Sequence, residues 1–226
     1  MVSDVDIYRF DLRGYIHLKG ALSSDEVRAA NTVIDSFPEI KPGEWHGHVH
    51  GHSYGDETSG LNLQQIYEGG EAFERLIDHP SWIEHVKHFV GSTGTFDSHH
   101  GPVFIDENFV SLRQPGEAIG IHSGGFPGTQ RGQFRYHNGR FMCGQVNVLM
   151  ALTDIGPGDG GTMLIPGSHK SNFKLPTYDE ARMGPGRSVD AVEEAIEIYM
   201  EAGDALVFVD ATCHGSAKRV NSGTRR

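Results

Sequence analysis

The spacing of apolar residues changes part-way along the chain. "GYIHLK", residues 14–19, alternates apolar and polar positions and predicts a short strand. "ALSSDEVRAANTVIDSF" then carries Val27, Ala30, Val33 and Ile34 at helical spacing, with Ser23 and Glu26 at capping-box distance. Residues 71–90, "EAFERLIDHPSWIEHVKHFV", predict two short helices broken at Pro80, whose ring cannot continue a helix. After Gly101 the pattern becomes that of strands. "PVFIDENFVSLRQPG" predicts a strand and a turn, "CGQVNVLMALTDI" a long strand, "GPGDGG" a turn and "TMLIPGSH" the next strand. Residues 182–190 predict a loop, and "AIEIYMEAGDALVFVDATCHGSAKRV" predicts two strands joined at "EAGD". Helices followed by a run of strands predict an α+β, mostly β, chain. Short strands with glycine-rich turns predict a jelly-roll barrel with helices packed outside. The helical part takes about residues 1–100 and the barrel core about 101–226, in a single domain.

Composition narrows the function classes. The 226 residues suffice for one sizeable core, and the 30 glycines suit a turn-rich β body. A formal net charge of −11 argues against binding a nucleic-acid polymer, whose phosphates need a basic surface. Two cysteines, Cys143 and Cys213, lie far apart and fit a reducing cytoplasm rather than a disulfide scaffold. The N-terminus "MVSDVDIYRF" has no apolar signal-peptide core, and no apolar run reaches the ~18 residues of a membrane span. A cytoplasmic protein acting on a small molecule, without membrane or carrier-protein partner, is the expectation.

Position separates the candidates among 14 histidines. His214 follows the apolar strand "GDALVFVDATC" and precedes the turn "GS", a strand end where a barrel mouth can hold a metal. Gln145 and Asn147 share a strand face with Leu149 and Ala151, so two amides interrupt a core-like face. They can touch a ligand or bond to each other. The cluster "HGHVHGH", His46 to His52, reads as a loop near the mouth that contacts substrate, since flexible ligands lose entropy on ordering.

Three blocks then resemble one family in its order. "LIDHPSWIEHVKHFVG" is similar to the helical segment of the phytanoyl-CoA dioxygenase family, "ALTDIGPGDGGTMLIPGSHK" to its signature and "AGDALVFVDATCHGS" to its distal-histidine strand. The resemblance implies a double-stranded β-helix barrel and iron(II)- and 2-oxoglutarate-dependent oxidation with O2. In that family two histidines and a carboxylate hold the iron, leaving positions for 2-oxoglutarate and oxygen. Carried over, His214 matches the distal ligand. Arg225, eleven residues on, matches the arginine that grips the distal carboxylate of 2-oxoglutarate, and Ser216 a hydroxyl supporting it. Gln145 and Asn147 are candidates to contact the same cofactor. His169 in "PGSHK" matches a structural turn. The family's barrel continues with a further strand after the arginine, whereas this sequence stops at Arg226.

The proximal ligand of the resembled family opens a His-x-Asp or His-x-Glu motif. The matching stretch here is "GIHSGGF", which makes His122 the ligand and puts Gly124 in the carboxylate's place. Three readings follow. Gly124 leaves a position that chloride or bromide fills, as in the halogenases that carry His-x-Gly or His-x-Ala. A carboxylate from elsewhere (Asp56, Asp106 or Glu107) or water fills it, and the protein hydroxylates. Or the barrel binds a small molecule without oxidising it. The retained His122, His214, Ser216 and Arg225 speak against the third, and a glycine rather than a random replacement favours the first. Arg131, Arg135, His137 and Arg140 form a local basic patch in an acidic chain, which reads first as a solvated surface loop and can also hold an anionic substrate such as a nucleotide. A free-standing nucleotide halogenase of secondary metabolism is the concrete form of this reading.

Overall fold

A computed structural model describes residues 1–53, 60–90, 99, 101, 103–122, 132–181, 190 and 192–226. In chain order the elements are α1 (Asp4–Arg13), β1 (Tyr15–Leu18), α2 (Ser24–Ser36), β2 (Trp45–His46), β3 (Val49–Ser53), β4 (Gly60–Gln64), α3 (Glu71–Glu74) and α4 (Ile83–Val90). There follow β5 (Phe109–Arg113), β6 (Ile119–His122), β7 (Tyr136–His137), β8 (Arg140–Phe141), β9 (Val146–Met150) and β10 (Thr162–Leu164). The last are α5 (Tyr178–Ala181), β11 (Ile196–Ile198), β12 (Ala205–Val209) and β13 (His214–Ser216).

Local chemistry explains the helix starts. Ser23 caps α2 and Glu26 reaches back to the Ser23 N–H, the reciprocal box its sequence predicts. Ala30 and Ile34 are its buried face, with Val27 and Val33 packed beside them. The same device, Ser3 with Asp6, starts α1. Phe10 of α1 is fully buried and stacks on Phe89 of α4, ring centroids 3.7 Å apart.

All strand pairings are antiparallel. One sheet has the order β11-β10-β13-β6, a second β1-β12-β9 and a third β2-β3-β4-β5. The final two residues join the second and third. Arg113 and Arg225 exchange backbone hydrogen bonds of 2.9 Å, and the Leu152 N–H donates to the Arg226 carbonyl at 3.1 Å. β5 and β9 are thereby stitched into one larger sheet. Leu206 and Phe208 of β12 meet Leu164, Ile198 and Met200 between this sheet and the first, the interior of the barrel. Alternate residues Ala205 and Val207 face the other way. There they join Val49, Leu63 and Val110 under α2 and Trp82. The period-two pattern of each strand thus divides the barrel interior from a helix-covered outer core.

Several expectations change. The stretch His46–His52 is not a loop. It forms β2 and β3, because Val49 and Gly51 point into the outer core while His50 and His52 take the opposite face. The two strands joined at "EAGD" are present as β11 and β12, but β11 pairs with β10 and β12 with β1 and β9, so that turn carries the chain from one sheet to the other. The strand read in "CGQVNVLMALTDI" is confined to Val146–Met150. The first hundred residues also supply strands, β1 to β4, to the larger sheet. The loop read at 182–190 lies mostly outside the described residues.

The change of sheet is anchored by Asp204. Its carboxylate accepts from Lys19 Nζ and the Gly20 N–H at 2.8 Å, from the Glu201 N–H at 3.1 Å and contacts His17 Nε2 at 2.9 Å. Burial alone raises this carboxyl, but the hydrogen bonds from Lys19, Gly20, Glu201 and His17 outweigh it and hold it at about 2. Such a depressed group contributes stability in full above its unfolded value of 3.8 and loses it as pH falls toward 2. Asp204→Asn is expected to lower unfolding free energy by about 2 kcal/mol near neutral pH. Urea denaturation measures this, and the deficit against wild type should shrink as pH falls below 3.8.

Candidate active site

The first sheet brings two histidines together. His214 opens β13 and stands directly opposite His122 at the end of β6. Their ring centroids are 4.2 Å apart, with planes at 67°. Close approach of the two strands depends on Gly215, where a Cβ would overlap the Ile119 carbonyl oxygen. Each imidazole is oriented by its own chain. His122 Nδ1 lies 3.2 Å from the Gly120 carbonyl and His214 Nδ1 2.7 Å from that of Thr212. With Nδ1–H donating to a carbonyl, Nε2 is the basic nitrogen of each ring and the one suited to a metal. Phe208 flanks His214 with ring centroids at 4.9 Å. Among the described residues, no third His, Cys, Asp or Glu completes a group that could hold a metal ion.

Ser216 follows on the same face of β13, two residues from His214, and is 6% exposed. Its Oγ is enclosed and has no hydrogen-bond partner. Arg225 lies beside this corner. Its Nη1 donates to the Gly160 carbonyl, and Gly161 in turn accepts from Ala217, the neighbour of Ser216. The enclosed Nε of Arg225 also lacks a partner. Two further arginines, missed from the sequence, surround it. Arg113 and Arg219 are 2% and 3% exposed. Arg219 pairs with Asp159 at 2.9 Å, and Arg113 Nη2 donates to the Glu117 carbonyl at 3.0 Å. Burial, then the charges of Arg113 and Arg219, push Arg225 down to about 10 against the pull of Asp159 and Glu197. An orphaned hydroxyl and an orphaned guanidinium N–H fit a carboxylate.

The remaining expected residues divide. Gln145 Nε2 donates to Asn147 Oδ1 at 2.9 Å, and Asn147 Nδ2 to the buried Asp210 at 3.2 Å, so part of their capacity is spent within a network. His169 is buried, 3.0 Å from the Asp11 carbonyl, and burial lowers its pKa to about 4, in keeping with a structural role. Arg135 and His137 are exposed on or beside the β7–β8 hairpin. Asp106 and Glu107 line a separate cavity whose wall includes neither His122 nor His214. Asp56, Gly124 and Arg131 lie outside the described residues. Asn62 was also missed. It is 1% exposed, both its amide atoms lack a partner, and it shares a sheet face with Ser111 and Arg113. A lone asparagine inside the apolar-polar run "LNLQQ" is its only trace in the sequence.

The sequence pattern described as phytanoyl-CoA dioxygenase (PhyH) matches residues 10–226. The chain belongs to the phytanoyl-CoA dioxygenase family. Within it, the dioxygenase cdmD of Talaromyces verruculosus is similar: 30% identical over 92 residues, 41% of this chain and 26% of cdmD. The match therefore spans about a quarter of that relative's length. The crystal structure of HygX from Streptomyces hygroscopicus with nickel and 2-oxoglutarate bound has a TM-score of 0.78 at 21% identity, covering 100% of this chain and 84% of HygX. The non-heme alpha ketoglutarate dependent epimerase SnoN from nogalamycin biosynthesis has a TM-score of 0.60 at 17% identity, covering 96% and 75%. The fold of this family member is the double-stranded β-helix, with the two sheets facing across the barrel interior.

The orphaned atoms of this corner make a direct test. Arg225→Ala is expected to weaken 2-oxoglutarate binding by about 100-fold, and Ser216→Ala by about tenfold. Calorimetric titration with manganese(II) present measures both. Arg225→Lys should recover only part of the loss, because an ammonium lacks the planar fork.

Proposed function

We propose that the protein is an iron(II)- and 2-oxoglutarate-dependent oxidase that replaces hydrogen on an unactivated carbon of a small molecule with chlorine or bromine. The observation that carries this reading is the adjacency of His122 and His214 at 4.2 Å, with the orphaned Ser216 Oγ further along the same strand and the orphaned Arg225 Nε beside that corner. His122 and His214 would hold the iron through Nε2 as neutral ligands, each ring fixed by its Nδ1–H on a backbone carbonyl. Ser216 would donate one hydrogen bond to the distal carboxylate of 2-oxoglutarate and Arg225 Nε–H another. That anion would also relieve the repulsion among Arg113, Arg219 and Arg225. Iron with 2-oxoglutarate and O2 supplies the one-electron oxidation of a C–H bond.

Halogenation rests on Gly124. Glycine offers no side chain where the family places its carboxylate, so a halide can bring the missing negative charge. Asp106 and Glu107 stand in another cavity and do not supply the substitute ligand that hydroxylation would use. The setting of secondary metabolism is supported by relatives. HygX has been crystallised with nickel, 2-oxoglutarate and hygromycin B, and SnoN belongs to nogalamycin biosynthesis.

Crystals grown without oxygen from iron(II), 2-oxoglutarate and bromide are expected to show anomalous bromide density beside the metal. A carboxylate oxygen in that position would refute halogenation while leaving the oxidase intact. With O2 admitted, succinate should form from 2-oxoglutarate, and its absence would overturn the oxidase reading itself. Gly124→Asp should fill the open position and abolish halogen transfer, which mass spectrometry of the product distinguishes from oxygen transfer.

A further inference from the structure

We infer that the cavity between β2 and the loop before β5 recognises a protonated amine on a hydroxylated small molecule, the substrate of the oxidase proposed above. The cavity has a volume of about 250 Å³, and its wall includes Trp45, His50, Tyr67, Asp106, Glu107 and Asn108. Trp45 is 59% exposed, yet its indole is held in place by stacking on His50, with centroids 4.5 Å apart and planes at 26°. A large ring fixed at a cavity edge presents a π face, which attracts a cation. Among the described residues the wall holds two carboxylates and no lysine or arginine. Among the described residues, neither Asp106 nor Glu107 is in an ion pair. Glu107 only accepts from Gln64 Nε2, at 3.2 Å. A concave wall of this sign concentrates cations and repels anions. The amides of Gln64 and Asn108 suit hydroxyl groups beside the charge.

The register places this cavity on the working face of the sheet. Trp45, His50, Gln64 and Phe109 lie in one row across β2 to β5. His52, Asn62 and Ser111 form the next row, and Gly60 and Arg113 the one beyond. All point away from the outer core that buries Val49, Leu63 and Val110. β5 runs from the cavity to Arg113, and β6, the next strand in the chain, ends at His122. Asn62, buried and with both amide atoms unpartnered, stands on that face between the cavity and Arg113. A molecule anchored by its amine therefore has a polar sheet face beside it that runs from the cavity to Arg113 of the guanidinium corner. The basic residues Arg135 and His137, by contrast, are exposed at the β7–β8 hairpin and line no part of this cavity.

The test uses the full chain loaded with iron(II) and 2-oxoglutarate under nitrogen. The two tryptophans are Trp45 and the buried Trp82, so a fluorescence change on adding a polar probe reports on Trp45. Three probes share one skeleton: glucosamine, glucose and glucose 6-phosphate. Glucosamine is expected to give a saturable change, with glucose at least about tenfold weaker and glucose 6-phosphate weaker still. The double variant Asp106→Asn, Glu107→Gln should lose glucosamine by about tenfold or more, with melting temperature and 2-oxoglutarate affinity unchanged. No glucosamine binding, glucose 6-phosphate binding as well as glucosamine, or an unaffected double variant would each overturn the inference. If glucosamine binds as expected but 2-oxoglutarate does not, the amine pocket stands and the oxidase reading fails.

Discussion

Two backbone hydrogen bonds between Arg113 and Arg225 connect the parts of the molecule on which the site depends. They close the gap between β5 and β9, so two separately paired sets of strands become one wall of the barrel. They also force two guanidinium groups onto neighbouring positions of one face, with Arg219 close behind. Burial in this corner, and then the like charges of Arg113 and Arg219, make Arg225 release its proton more readily than an ordinary arginine. The corner remains stable because Asp159 takes one of the three charges and Arg226 ties the end of the chain to Asn31 and Asp35 on α2.

The opposite wall solves a different problem. Two imidazoles must face the interior at metal-sharing distance, although β6 and β13 are distant in sequence. Antiparallel pairing puts His122 and His214 in register, and Gly215 lets the backbones come close enough. The Nδ1 contacts to Gly120 and Thr212 repeat the same geometry on both strands, so each ring is aimed by residues two positions before it. Between the walls, Leu164, Leu206 and Phe208 pack into one apolar cluster, and the Phe208 ring lies against His214. Each wall therefore supplies one half of a site that neither could hold alone.

Features governed by near neighbours were legible in the residues themselves. The capping box of α2 and the break at Pro80 are settled within a few residues. The strand character of β12 is fixed by an unbroken apolar run. The N-terminal helix α1 was also within reach, since Ser3 and Asp6 form a capping box, but a single fully buried residue, Phe10, leaves little periodic signal. The histidine-rich strands were not legible. Glycine and histidine have low strand propensity, and β2 and β3 exist because β4 pairs with them over a shared apolar core. Arg113 looked like any charged residue near a turn. Its burial follows from the approach of Arg225, more than a hundred positions away in the chain.

By itself, the sequence determined the family, the barrel class and the two histidines that the strands bring together, because strand ends, turns and motif spacings are local and directional. It also determined that position 124 has no side chain. The tertiary structure alone decided which charges gather at that corner, which amides are spent on one another and which remain unsatisfied. It also decided that Trp45, Tyr67, Asp106 and Glu107 share one cavity. Those are consequences of strand register and sheet closure, in which contacts between remote residues set burial, and burial sets what a polar group must find as a partner.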